Sequence, residues 1–134
     1  MKKNEGFSLV ELIIVIALMC VLVGLLAPQF LKYVEQSRRS RDIQNADQLR
    51  EAFLADIAEG KITGTGNVTV DMLSKTDLPD SINDVPHTAG SACGRGLTFT
   101  VVYDTETNDI QVFPTGHSSF DLTTESGISA YKAA

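Results

Sequence analysis

The chain has 134 residues, of which 17 are acidic and 11 basic, for a net charge of −6. That length fits one small domain, and the acid excess argues against nucleic acid as a partner of the whole chain, because phosphate binding wants a basic surface. Cys20 lies in an apolar run and Cys93 in a distant Gly-rich loop, so no disulfide framework is implied, and Cys93 reads as a free thiol or an intermolecular link.

The first residues, "MKKNEG", are polar and carry Lys2 and Lys3. From Phe7 to Leu31 the sequence is apolar, and Glu11 is its only charged residue. A helix over 7–31 is about 37 Å long, enough for a hydrocarbon core of about 30 Å. A removable secretory signal would need a small-x-small exit. Here the run leaves through "LLA" and Pro28, so residues 7–31 read as a retained membrane-spanning helix. Counting positive charges leaves its orientation undecided or slightly reversed, because Lys32, Arg38, Arg39 and Arg41 follow the span. An acid within a span is costly and calls for a cation. Cutting the chain between Gly6 and Phe7 would make one, an α-amine mostly protonated at neutral pH. Glu11 stands at i+4 from Phe7, within reach of that amine or of the amine of a neighbouring chain.

"GFSLVEL" running straight into an apolar helix resembles the prepilin signature of type IV pilins and pseudopilins. The resemblance covers about residues 1–32 and is carried by Gly6, Phe7, Glu11 and Pro28. It implies a leader, residues 1–6, removed after Gly6 by a membrane peptidase that also N-methylates Phe7. It implies that Glu11 pairs with the Phe7 amine of an adjacent subunit and sets the register of a helical homopolymer. It also implies an assembly ATPase and an inner-membrane platform protein as partners, a cytoplasmic leader and an outward C-terminus. The precursor then sits in the inner membrane and the product in a surface filament. The chain departs from the family pattern at Glu5 before the glycine, at Cys20 where many members have glycine, and in lacking a cysteine pair near the C-terminus.

Beyond the span, residues 32–60 continue the helix without Pro or Gly until Gly60 stops it. Ala46, Leu49, Phe53 and Ile57 form one apolar stripe at helical spacing. Pro28 lacks a backbone donor and Gly24 lies one turn earlier, which makes residues 24–28 the place where the helix bends or melts. Arg38, Arg39 and Arg41, with Glu35 and Asp42 close by, read as a solvated or interfacial face that pairs with acidic heads of neighbouring subunits.

Residues 61–134 form the head. "KITGTGNVTV" and "HTAGSACGRG" read as loops, and "DMLSK" as one helical turn capped by Asp71. In "LTFTVVYDTETNDIQVF", Leu97, Phe99, Val101 and Tyr103 alternate with Thr98, Thr100 and Val102, "TETND" makes a turn and "IQVF" returns. Residues 118–134 fit a further short strand or turn. The fold class is α+β: a long N-terminal helix, its first half membrane-spanning and its amphipathic second half packed on a small antiparallel sheet, the pilin fold.

His87, Cys93 and His117 do not have zinc spacing, and neither a nucleophile elbow nor a Gly-rich phosphate loop is present. Asp104, Glu106, Asn108 and Asp109 offer oxygen ligands, like the calcium loop of some secretion pseudopilins. They lack the Gly of an EF-hand loop, and a hairpin turn is the simpler account. The expectation is a structural subunit of a type IV pilus, with no catalytic residue, cofactor or resident metal. The alternatives are a pseudopilin of a secretion or DNA-uptake machine and, more remotely, a single-pass membrane receptor or enzyme.

Overall fold

A computed structural model of the chain describes residues 5–62, 67–71, 79, 81–82, 84–104 and 106–134. The chain divides into two compact units, one ending at Val34 and one beginning at Glu35. Helix α1, Leu9–Ala58, contributes to both.

In the first unit every described residue from Glu5 to Tyr33 is exposed. By length and composition α1 is able to cross a membrane. Among the described residues, the apolar side chains of α1 up to Tyr33 are exposed, an arrangement that suits lipid or another apolar surface rather than water.

The second unit is built on the amphipathic part of α1. Ala46, Leu49 and Phe53 are buried, and Ile57 packs beside them. The helix ends in a Schellman motif at Gly60, whose φ is 73°. The Gly60 amide donates to the Ile57 carbonyl (3.0 Å) and the Lys61 amide to that of Asp56 (2.9 Å), and a positive φ there favours glycine.

A three-stranded antiparallel sheet, β1 (Asn67–Asp71), β2 (Phe99–Asp104) and β3 (Asp109–Pro114), runs in the order β1-β2-β3. Val101 pairs with Val112 and Tyr103 with Ile110, while Val70 pairs with Val101 on the other side. The expected alternation holds: Phe99, Val101, Tyr103, Ile110 and Val112 all join the Leu49–Phe53 core. A second helix, α2 (Glu125–Ala133), closes the chain and adds Tyr131 to that core.

Two expectations are corrected. "NVTV" is a strand rather than a loop, because the β2 edge offers ladder partners to all five residues of β1; the cap assigned to Asp71 lies outside the described residues. The rest of the turn assigned to "DMLSK" lies outside the described residues. Residues 118–134 hold a helix, not a strand. Thr124 caps it by accepting from the Gly127 amide (3.2 Å), Glu125 stands in the first turn and Lys132 in the last, which suits the helix dipole. Gly127 is needed for contact, because a Cβ there would collide with the Asp121 carbonyl.

Candidate functional site

The start of α1 is held by two reciprocal hydrogen bonds. The Ser8 amide donates to Glu11 Oε2 (2.8 Å), and the Glu11 amide donates to Ser8 Oγ (3.2 Å). This is a capping box, which satisfies two donors that a helix N-terminus leaves open. Ser8 was signalled by its S-x-x-E spacing ahead of an apolar run, yet it has no role in the reading from sequence. Gly6 and Phe7 lie just outside the helix. Phe7 is 95% exposed, and nothing stands within 4 Å of where a Cβ on Gly6 would be. The Gly6–Phe7 bond is therefore open to an approaching protein. Phe7 and Glu11 flank one shallow apolar depression with Leu12 and Val15.

Further along, α1 runs through Pro28 as helix. The amide that proline lacks is the one that would meet the Gly24 carbonyl at i−4. Gly24 and Pro28 thus weaken one and the same turn.

A second polar cluster lies in the head. Asp42 is fully buried. Its Oδ1 accepts from the Ala89 amide (2.7 Å), and its Oδ2 accepts from the Gly90 amide (2.7 Å) and from the Tyr131 hydroxyl (2.5 Å). Burial first, and then the bond to Asp42, push the Tyr131 hydroxyl far above its usual pKa, so it stays a donor. Two turns earlier, Glu35 accepts from the Ser91 amide (2.5 Å) and hydroxyl (2.7 Å), from Arg39 Nε (3.2 Å) and from Arg95 (3.4 Å). Arg39 also donates to the Tyr131 (3.1 Å) and Lys132 (2.8 Å) carbonyls at the end of α2. Two acids and one arginine of α1 therefore pin the loop of residues 88–97 and the C-terminal helix. The fit is tight. A Cβ on Gly90 would lie 2.8 Å from the Tyr131 hydroxyl and 3.0 Å from Asp42 Oδ2, so only glycine fits.

This corrects the reading of a solvated or interfacial face for Arg39, Glu35 and Asp42, while Arg38 and Arg41 keep to it. Arg39 is bonded within its own head, and its side chain is only 13% exposed. Arg38 lies at 4.0 Å from Glu35, while Arg41 faces solvent. The missed signal was spacing: Asp42, Ala46, Leu49 and Phe53 follow at 4, 3 and 4, so the acid continues the buried stripe.

Glu35 titrates accordingly. The Ser91 amide bond, and after it the Ser91 hydroxyl and Arg39, hold its carboxyl down to about 2 from an ordinary 4.5. A depressed carboxylate stabilises the fold above its unfolded pKa, and that contribution fades as pH falls through the folded one. Thermal melts of the full chain in detergent micelles should show it. The wild-type advantage in Tm over Glu35→Gln is expected to persist from pH 7 to about 4.5 and to shrink toward pH 2. A difference constant down to pH 2 would show that the Glu35 charge does not contribute.

Cys20 and Cys93 are both free. Cys93 is partly buried against the core, and burial, then the charge of Asp42, raise its thiol pKa. In the β2–β3 turn, Asp104 Oδ1 accepts from the Glu106 amide (2.8 Å) and Asn108 Oδ1 from the Tyr103 hydroxyl (2.7 Å), so these oxygens serve the hairpin. Among the described residues no three His, Cys, Asp or Glu side chains gather to hold a metal.

Residues 1–27 match the family model described as the prokaryotic N-terminal methylation motif. The chain is 29% identical over 112 residues to a type IV major fimbrial protein, FimA, of Dichelobacter nodosus, covering 82% of this chain and 71% of that protein. It is 27% identical over 131 residues to a fimbrial protein of Pseudomonas aeruginosa, covering 81% of this chain and 83% of the relative. A probable minor fimbrial protein of Dichelobacter nodosus is 36% identical over 63 residues, 47% of this chain and 40% of the relative. No solved structure matches.

Proposed function

With the chain a member of the type IV pilin family, we propose that it is cut between Gly6 and Phe7, N-methylated on Phe7, and polymerised into a surface pilus through the apolar part of α1. The observation that carries this is the wholly exposed apolar helix, whose sole charge, Glu11, is held at its first turn. In the precursor, lipid covers that helix. In the filament, other copies do, and the hydrophobic effect holds the bundle together once it meets water. Repeated head-to-tail contacts that do not close give an open fibre. Leaving the membrane changes what surrounds the weak turn at Gly24 and Pro28, which is where α1 melts during packing. A prepilin peptidase and methylase, an assembly ATPase and an inner-membrane platform protein are the partners this route needs. A pilus is favoured over a secretion pseudopilus because the relatives named above are fimbrial proteins.

The deciding experiment is mass spectrometry of the mature N-terminus. An N-methylated Phe7 is expected, with filaments in sheared cell-surface material. Gly6→Val should leave the full-length precursor in the membrane, because a β-branched side chain obstructs the peptide approached by the peptidase. A mature-size band from that variant would place the cut elsewhere. A wild-type protein that keeps its leader would make the chain a membrane-anchored receptor or enzyme instead.

A further inference from the structure

Gln36, Arg39, Ser40 and Lys132 line a groove of about 250 Å³ between α1 and the last turn of α2. Two cations meet there on a chain of net charge −6. Arg39 is a fixed wall, tied to Glu35 and to the Tyr131 and Lys132 carbonyls. Lys132 is exposed, and among the described residues its ammonium has no ion-pair partner. A rigid cationic hollow on an acidic protein favours a carboxylate brought from outside.

The β2–β3 turn of the same head presents the converse. Glu106 and Asp109 are exposed there. The turn is stiffened by the Asp104–Glu106 and Tyr103–Asn108 hydrogen bonds, with Asn108 at φ 54°. Among the described residues, the hairpin engages the Glu106 amide, and no hydrogen bond or ion pair takes up its carboxylate. Arg39 in the groove and the Glu106 amide and Asn108 side chain in the turn are already held within their own head, which lowers the ordering cost of docking.

We propose, resting on the filament reading above, that the groove receives the β2–β3 turn of a second copy, with Glu106 against Lys132. The two surfaces differ, so the contact is heterologous, and in the open filament proposed above it recurs at every subunit. One exposed ion pair is weak and screened by salt, and repetition at every subunit gives it weight in the fibre.

Charge exchange in the full-length chain, expressed with its own assembly machinery, tests this. Lys132→Glu and Glu106→Lys are each expected to lower the yield of sheared filaments about tenfold. The double exchange is expected to restore it, with mature-size protein present throughout. Lys132→Glu keeps the carbonyl that Arg39 holds, so the head retains its closure. Glu51→Lys, an equal charge change on an exposed site of α1, is expected to leave the yield unaltered. Wild-type yields from both single variants, a double exchange that fails to restore, or an equal loss from Glu51→Lys would each overturn the contact. A wild-type strain without filaments would instead bring down the filament reading beneath it.

Discussion

Glu11→Gln is expected to give a protein that is cut, inserted in the membrane and correctly folded, yet unable to polymerise. Glu11 has two possible duties, and this substitution separates them. Its carboxylate accepts from the Ser8 amide in the capping box. A glutamine carbonyl at the same place does so too, since Glu and Gln both serve at that position. What glutamine lacks is the charge that would attract a protonated Phe7 amine from the next subunit. Among packed apolar helices the effective dielectric is low, and breaking such a pair by removing one partner costs about 3–5 kcal/mol. That corresponds to a drop of roughly 10²–10⁴-fold in the association constant at every addition of a subunit. Glu11→Ala removes both duties, adding a capping loss of about 1 kcal/mol. It should therefore fail in assembly at least as fully, with a frayed first turn as well. The measurements are filament yield from sheared cells and the mass of the mature protein. Filaments at wild-type yield from Glu11→Gln would mean that the carboxylate matters as a helix cap and not as a counter-ion.

The parts of this molecule that could be read in its sequence are those decided locally. The apolar run, the stripe from Ala46 to Ile57, the stop at Gly60 and the alternation from Phe99 to Tyr103 need only a period or a backbone preference. The parts that escaped are decided by partners far along the chain. "NVTVD" looks like loop because Gly64, Gly66 and Asn67 crowd it, and it becomes a strand because β2 lies alongside. In "ESGISAYKA", Ser and Gly weaken helix propensity, and the segment is held as a helix by the Thr124 cap and the burial of Tyr131. The N-terminal motif could be picked out because its residues lie close together in sequence. The head cluster could not be, since Glu35 and Asp42 meet residues 47 to 89 positions away. Only the place of Asp42 on the apolar stripe announced it.

Asp42→Ala is expected to be among the most damaging single substitutions in the head, although it touches neither Gly6 nor Glu11. It would leave the Ala89 and Gly90 amides and the Tyr131 hydroxyl without their acceptor. A buried donor stripped of its partner costs about 1–3 kcal/mol, so water entry and partial relaxation still leave a loss of roughly 3–5 kcal/mol. For a unit of this size that lowers Tm by roughly 15–30 °C, a large share of the 5–15 kcal/mol that holds such a domain together. Asp42→Asn should be nearly as harmful, because its amide offers one acceptor oxygen where two are used and turns its NH₂ toward a donor. Tyr131→Phe deletes a single hydroxyl while keeping the ring in the core, and should cost only about 1–2 kcal/mol. Cys93 reports on the same event. In a Cys20→Ser background its thiol, carried on the pinned loop, is partly buried against the core, and alkylation should accelerate in Asp42→Ala well below the melting temperature. If Asp42→Asn melts with wild type and leaves Cys93 as slow to react, the buried carboxylate is not what ties the loop and the C-terminal helix to α1.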